Sequence, residues 1–265
     1  MIKIFRNKIN SHYWENRWES SGVDNFTFTN ENIYPIKYAN LVVKRGCKIL
    51  EAGCGSGRLY FHFKEKGFNI KGFDQSKIAI KNILQKNKEA DVHISSISKL
   101  KYRDNNFDVI LAFGLYHNIE NKKDLKKSFE ETFRVLKNNG RLVASVRFDS
   151  FENKIIEKIV QKRSKNHMFD KFHRWHFTLQ DLQIFLGSKM IIENVYYARN
   201  VSFLFKFNLF RTKELKTSVF DEAYARSNGF KLNWLGNILD NILHTLFPKY
   251  FSNLIVIIAR KTDNG

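Results

Sequence analysis

Apolar positions along the chain fall into short continuous runs that alternate with stretches of helical spacing. Residues 48–52, Lys-Ile-Leu-Glu-Ala, form an apolar run that stops at a glycine-rich turn. Residues 57–66 follow with Leu59 and Phe63 on one helical face and Gly67 as a stop. Residues 69–74 read as a second strand, and Ser76 is the expected N-cap of a helix that turns Ala79, Ile80, Ile83 and Leu84 inward. A weaker strand covers about 91–95, and residues 107–113 are nearly all apolar, as in a parallel strand buried on both faces. Leu125, Phe129, Thr132, Phe133 and Leu136 recur at helical spacing, Asn139-Gly140 is expected to end that helix, and 141–146 form the next strand.

Strands alternating with helices of this length predict a doubly wound α/β fold, with a parallel sheet and right-handed crossovers. The rhythm weakens after residue 149. A basic stretch, 154–174, precedes a capped helix at 178–187 and a strand near 191–198; an aromatic-rich excursion occupies 199–250, and 254–260 form a last strand. The expected organisation is an N-terminal cap at 1–44, a nucleotide-binding core at 45–198, an acceptor-side insertion at 199–252, and the last strand and tail at 253–265.

Composition narrows the class. The length of 265 residues suits one domain with an insertion, and 43% hydrophobic residues exclude global disorder. Cys47 and Cys54 provide neither a disulfide framework nor a zinc-ligand spacing, which suits a reducing, cytoplasmic setting. The longest purely apolar run, 254–259, is far short of the ~20 residues of a membrane-spanning helix, so membrane contact is expected to be peripheral at most, at the inner face. The net charge of +19 invites nucleic acid as a partner. It is spread evenly, however, with 27 basic and 16 acidic residues up to 149 and 18 and 10 beyond it. Only 154–174 and 199–216 are locally basic.

Glu51-Ala-Gly53-Cys-Gly55-Ser-Gly57 stands where the first strand of the core turns into its first helix. Arg58 occupies the place of the third glycine of a dinucleotide fingerprint, and the Gly-Lys-Ser/Thr ending of a phosphate loop is missing. A carboxylate at Glu51 would repel a pyrophosphate but hold a ligand bearing an ammonium group. Asp74, at the end of the second strand, stands where an acidic residue accepts ribose hydroxyls. Ribose and an ammonium-bearing tail together describe S-adenosylmethionine well and a nicotinamide cofactor poorly.

Residues 49–59, Ile-Leu-Glu-Ala-Gly-Cys-Gly-Ser-Gly-Arg-Leu, then Gly72-Phe-Asp-Gln-Ser76, Asn106-Phe-Asp-Val-Ile110 and 133–142 resemble the class I S-adenosylmethionine-dependent methyltransferases in order and spacing. The resemblance implies a Rossmann-like, seven-stranded, mostly parallel sheet whose last strand is antiparallel, with the cofactor across the C-terminal strand ends. It implies that Glu51, Gly53 and Gly55 contact the methionine part and Asp74 the ribose. Ser96 stands at a position that is often acidic and touches adenine, Ile97 would pack on the ring, and Phe113 or Gly114 would line the site. Tyr13 and Trp14, in an aromatic-acidic opening segment, would fold over the cofactor.

Methyl transfer from a sulfonium is an in-line displacement, in which the protein supplies alignment and excludes water. His117, just past the fourth strand of the core, is the leading candidate for a general base, with Tyr116 as a weaker alternative and His176 as a second acceptor contact. Asp170, His173 and His176 do not share one helical face, so no metal is expected there. Asp108 and Cys54 read as structural. With Pro35 and Pro248 alone, the motifs of the familiar adenine-N6 and cytosine-C5 base methyltransferases are missing. The expected reaction is methylation of O or N on a small-molecule or glycan acceptor, anionic or lipid-linked. The alternatives are an RNA (tRNA) methyltransferase, which the charge favours although no appended RNA-binding module is visible, and a cofactor-binding partner subunit without catalysis. In the excursion, Trp234 to Phe247 carry an apolar helical face suited to packing on the core or a second copy, or to meeting a membrane.

Overall fold

The computed structural model describes residues 1–6, 10–21, 33–163, 169–199, 201–216 and 230–263. Strand β1 (Ile2–Arg6) and helices α1 (Asn10–Ser21) and α2 (Tyr34–Ala39) come first. The alternating region comprises β2 (Lys48–Ala52), α3 (Arg58–Glu65), β3 (Asn69–Asp74), α4 (Lys77–Lys86), β4 (Val92–Ile94), β5 (Phe107–Phe113), α5 (Lys122–Val135) and β6 (Leu136–Arg147). Then follow α6 (Phe151–Arg163), β7 (Lys171–His176), α7 (Leu179–Leu186), β8 (Met190–Ala198), α8 (Trp234–Leu246) and β9 (Leu254–Lys261).

The main sheet has the order β4-β3-β2-β5-β6-β9-β8, with β4, β3, β2, β5 and β6 mutually parallel. The end of β9 lies at the beginnings of β6 and β8, since Lys261 Nζ donates to Leu136 O at 2.9 Å and Thr262 N to Lys189 O at 3.0 Å. This last strand is therefore antiparallel. The expected fold class is the one observed. Ile49, Leu50, Ile70, Phe73, Ile110 and Leu111 are buried from both faces of the sheet, each contributing about 1.5–3 kcal/mol of transfer free energy. Glu51 pairs with Gly72 and Ala52 with Phe73, so the glycine turn after β2 and Asp74 at the end of β3 emerge at one sheet edge.

Helix starts follow their caps. Ser76 Oγ accepts from Ala79 N at 3.1 Å, and Thr178 and Asp181 form a reciprocal capping box at the start of α7. The end of α5 differs from expectation. The helix stops at Val135, and β6 begins at once. Lys261 Nζ donates to Phe133 O at 3.0 Å, while Asn105 N and Asn106 N donate to the carbonyls of Arg134 and Val135. The last helical carbonyls are thus satisfied from outside the helix. Asn139, at φ 59°, and Gly140 instead kink β6, where a side-chain carbon on Gly140 would lie 2.8 Å from Lys137 O.

A second, two-stranded antiparallel sheet pairs β1 with β7. Neither strand is apparent from apolar patterning, because Lys3, Arg6, Lys171, His173, Arg174 and His176 interrupt both.

The chain divides into two compact units: Met1–Arg147 with Met168–Tyr196 and Val256–Gly265, and Phe148–His167 with Tyr197–Ile255. Residues 148–163, expected within the core, therefore pack with the excursion. In the second unit Phe203, Leu204, Phe205, Leu215 and Leu232 form a buried cluster against which Ile155, Ile156, Leu239 and Leu243 pack. Helix α8 turns Leu239 and Leu243 inward and leaves Trp234, Ile238, Ile242 and Leu246 exposed, one turn apart. The expected continuous apolar face is thus split, with one side covered and one open.

Candidate functional site

The glycine turn forms because Gly53, Gly55 and Gly57 take φ of 72°, 52° and 86°, a region costly for residues with a side chain. Its closest approach is to an aromatic ring: a side-chain carbon on Gly55 would lie 2.6 Å from Cη2 of Trp18. Trp18 stacks on Trp14, with ring centroids 5.8 Å apart. Helix α1 is tied to α4 by Ser76 Oγ donating to Glu15 Oε2 at 3.0 Å and Asn82 Nδ2 to Trp18 O at 3.1 Å. The opening aromatic segment thus does lie over the turn, but Trp18 rather than Tyr13 or Trp14 touches Gly55. The Tyr13 ring stands edge-on to Trp14 and to His173. The one-turn spacing of Trp14 and Trp18 is the sequence signal for their shared helical face.

Glu51 is buried, and its Oε2 meets no hydrogen-bond partner among the described residues. Burial lifts its carboxyl to about 8, opposed by the Arg58 guanidinium and a backbone hydrogen bond, and reinforced by the nearby Asp74. A buried carboxyl with an unused oxygen beside a glycine turn suits a ligand ammonium group. Asp74 Oδ2 accepts from Gly55 N at 2.8 Å, and Oδ1 from Ser76 N at 2.9 Å. Burial raises its pKa against these backbone hydrogen bonds. With Gln75 N–H also donating to it, the carboxylate keeps lone-pair capacity for a hydroxyl donor. Both residues fit an S-adenosylmethionine-type ligand.

Gln75 Nε2 donates to Ser96 Oγ at 3.0 Å, and Ser98 Oγ lies 2.9 Å from it. Ile97 is buried. Phe113 is half-buried, with Tyr34 edge-on at 5.9 Å, and Gly114 N donates to Ser145 Oγ at 3.0 Å. Leu115 Cδ1 would lie 3.0 Å from a side-chain carbon on Gly53, joining the end of β5 to the turn. Asp108 accepts from Lys48 N at 2.9 Å and Lys137 Nζ at 2.8 Å, a structural role, and Cys54 fills buried space against Gly72.

His117, the candidate base, feels the charges of Arg147 and Arg174 and of His173 and His176, the last the second expected acceptor contact. Burial, then Arg174 and Arg147, depresses His176 to about 2, and burial followed by Arg147 and Arg174 holds His117 well below the ordinary imidazole range. An imidazole this reluctant to take a proton is a poor general base, which counts against the role expected for His117. Tyr116 is unsuited too, since burial raises its hydroxyl, which pairs with Thr132 Oγ1 at 2.7 Å on the helix side. His173 and His176 lie on strand β7, not on a helix. Among the described residues no group of His, Cys, Asp and Glu has the arrangement of a metal site.

Residues 50–144 match the family model of a methyltransferase domain. The chain is 33% identical over 101 residues to a tRNA (carboxymethyluridine(34)-5-O)-methyltransferase of Arabidopsis thaliana, covering 38% of this chain and 24% of that one. It is 25% identical over 142 residues to an eEF1A lysine and N-terminal methyltransferase homolog of Drosophila melanogaster, covering 49% and 21%. It spans less than half the length of the curated relatives it matches. An S-adenosylmethionine-dependent methyltransferase structure from Methanosarcina mazei superposes with a TM-score of 0.59 at 17% identity, over 87% of this chain and 98% of that one, a likeness of fold.

Proposed function

We propose that this chain, whose residues 50–144 are a methyltransferase domain of the class I S-adenosylmethionine-dependent type, methylates O or N of a small-molecule or glycan acceptor. The observation that carries the cofactor half of this reading is the buried, unused Oε2 of Glu51 beside the glycine turn. When bound, S-adenosylmethionine supplies a sulfonium-activated methyl group. The chain supplies position: Glu51 for the amino group, Asp74 for the ribose hydroxyls, and Gly53 and Gly55 for close backbone approach. Trp14 and Trp18 shield the turn from water. Among the described residues, burial and neighbouring cations disfavour a proton on the imidazoles near β5, which favours an acceptor that arrives as a neutral amine or an already ionised oxygen.

Calorimetry with S-adenosylhomocysteine tests the cofactor half. Wild type should bind, Asp74→Ala should weaken binding at least tenfold, and failure of wild type to bind would defeat the reading. A screen of cell fractions with labelled cofactor tests the acceptor. Label in the small-molecule or glycan fraction supports the proposal. Label confined to RNA would replace it with the competing tRNA reading, drawn from the net charge of +19 and the activity in the Arabidopsis relative's name.

The exposed stripe on α8 supports a peripheral contact with an anionic bilayer, consistent with a lipid-linked acceptor. Exposed Lys231 and Lys249 stand at its two ends, and no described helix is long and apolar enough to cross a membrane. Sedimentation with anionic and neutral vesicles tests this. Ile238→Glu should abolish co-sedimentation with anionic vesicles, whereas self-association through this face without lipid binding would overturn it.

A further inference from the structure

Helix α2 brings a tyrosine to the strand ends beside the glycine turn. Pro35, Ile36, Tyr38 and Ala39 are buried and anchor the helix, while Tyr34, its first residue, is half-buried. The Tyr34 ring stands edge-on to Phe113, the last residue of β5, and its hydroxyl oxygen lies 3.4 Å from Ser145 Oγ near the end of β6. Phe113 and Ser145 are register partners, so both contacts fall at one place on the sheet edge. Ser145 Oγ also accepts from Gly114 N at 3.0 Å, and Asn118 Nδ2 donates to Gly114 O at 2.6 Å. Leu115, the next residue along, reaches back to Gly53. A continuous set of contacts thus runs from the Tyr34 hydroxyl to the glycine turn.

These partners fix the direction of the hydrogen bonds. Ser145 is fully buried, so water does not take its hydroxyl proton, and leaving a buried donor unpaired costs about 1–3 kcal/mol. Gly114 N–H is itself a donor, which leaves the Tyr34 oxygen as the acceptor for that proton among the described residues. Tyr34 then keeps its own O–H for a partner outside these residues. A donor at this place discriminates between acceptors. A neutral amine has one lone pair, and holding it in a hydrogen bond blocks its attack, whereas an oxyanion has lone pairs to spare. We infer that Tyr34 is a specificity-determining residue whose hydroxyl, oriented by Ser145, donates to the acceptor atom, and that this atom is an ionised oxygen of a carboxylate or phenolate rather than an amine nitrogen. This rests on the methyltransferase reading above. In the transfer an oxygen lone pair forms the new bond to the methyl carbon, the electron pair of the carbon–sulfur bond leaves with sulfur, and no proton moves.

The test uses the full chain saturated with S-adenosylhomocysteine and two probes of one shape, 4-nitrophenolate and the neutral 4-nitroaniline, titrated by absorbance in mildly alkaline buffer. Wild type should bind 4-nitrophenolate saturably and move its absorption band to shorter wavelength, as a hydrogen bond to the phenolate oxygen requires. Tyr34→Phe should weaken that binding about tenfold or more and abolish the band shift, with 4-nitroaniline and S-adenosylhomocysteine affinities changed by less than about twofold. Ser145→Ala leaves Gly114 N its bond to the backbone oxygen at position 145, at 3.2 Å, and should also weaken 4-nitrophenolate alone. It carries the test if Tyr34→Phe does not fold. No saturable response in wild type, equal losses for both probes, or weaker S-adenosylhomocysteine binding in Tyr34→Phe would overturn the assignment. Failure of S-adenosylhomocysteine to bind wild type would defeat the methyltransferase reading separately, because the probe titration is also read on the free chain.

Discussion

At Glu51 a stability cost and a binding role meet in one carboxyl group. Burial raises it from 4.5 to about 8, so the ligand-free protein holds its proton at neutral pH. The unfolded chain releases that proton near 4.5, so this group's contribution to stability falls as pH rises from about 4.5 to about 8, then levels off. Glu51→Gln should therefore raise the Tm of the free protein by a few degrees at pH 8, with little change at pH 5, in differential scanning calorimetry. The same variant should bind S-adenosylhomocysteine at least tenfold more weakly. In wild type, binding near pH 6.5 should release up to one proton, measurable in buffers of different ionisation heat, and the release should vanish in the variant. Gly55→Ala faces both a φ of 52° and the Trp18 ring, so it should cost about 1–2 kcal/mol and shift the tryptophan fluorescence as Trp18 is displaced. Glu51 and Asp74 were legible because a local motif places them. Trp18 was not, because its partner Gly55 is distant in sequence and either ring on that face of α1 could have met the turn.

Among the elements, those defined by local signals stand where the sequence puts them. The α7 start is an example: Thr178 and Asp181 cap each other, and the N-terminal ammonium also donates to Asp181 at 2.8 Å. Thr178→Ala should cost about 1 kcal/mol and lower Tm by roughly 2–4 °C, measured by thermal denaturation. The end of α5 was misjudged by a few residues because the groups that satisfy its carbonyls, Lys261 above all, come from far along the chain. Strands β1 and β7 were hidden for a related reason. They form one ribbon whose charged residues interrupt both strands, so neither carries the apolar alternation that marks a strand with one wet face.

For the whole molecule, part of the basic content behind the net charge of +19 is engaged in ion pairs. Glu193 bridges Arg141 and Arg260 at 2.8 Å each, and Asp108 joins Lys137 to the start of β2. The remaining cations are spread along the chain, so affinity for arbitrary RNA should be non-specific. It should drop at least tenfold between about 50 and 200 mM salt in filter binding; a specific, salt-resistant complex would favour the tRNA reading. The sequence by itself determined the sheet class, the glycine turn and the two acidic anchors, because these depend on apolar periodicity and on residues adjacent in the chain. Only the tertiary structure decided that Trp18 covers the turn, that the open face of α8 is one side of its helix, and that His117, His173 and His176 are disfavoured from taking a proton. Those properties depend on burial and on charges from β6 and β7, and long-range contacts alone create such an environment.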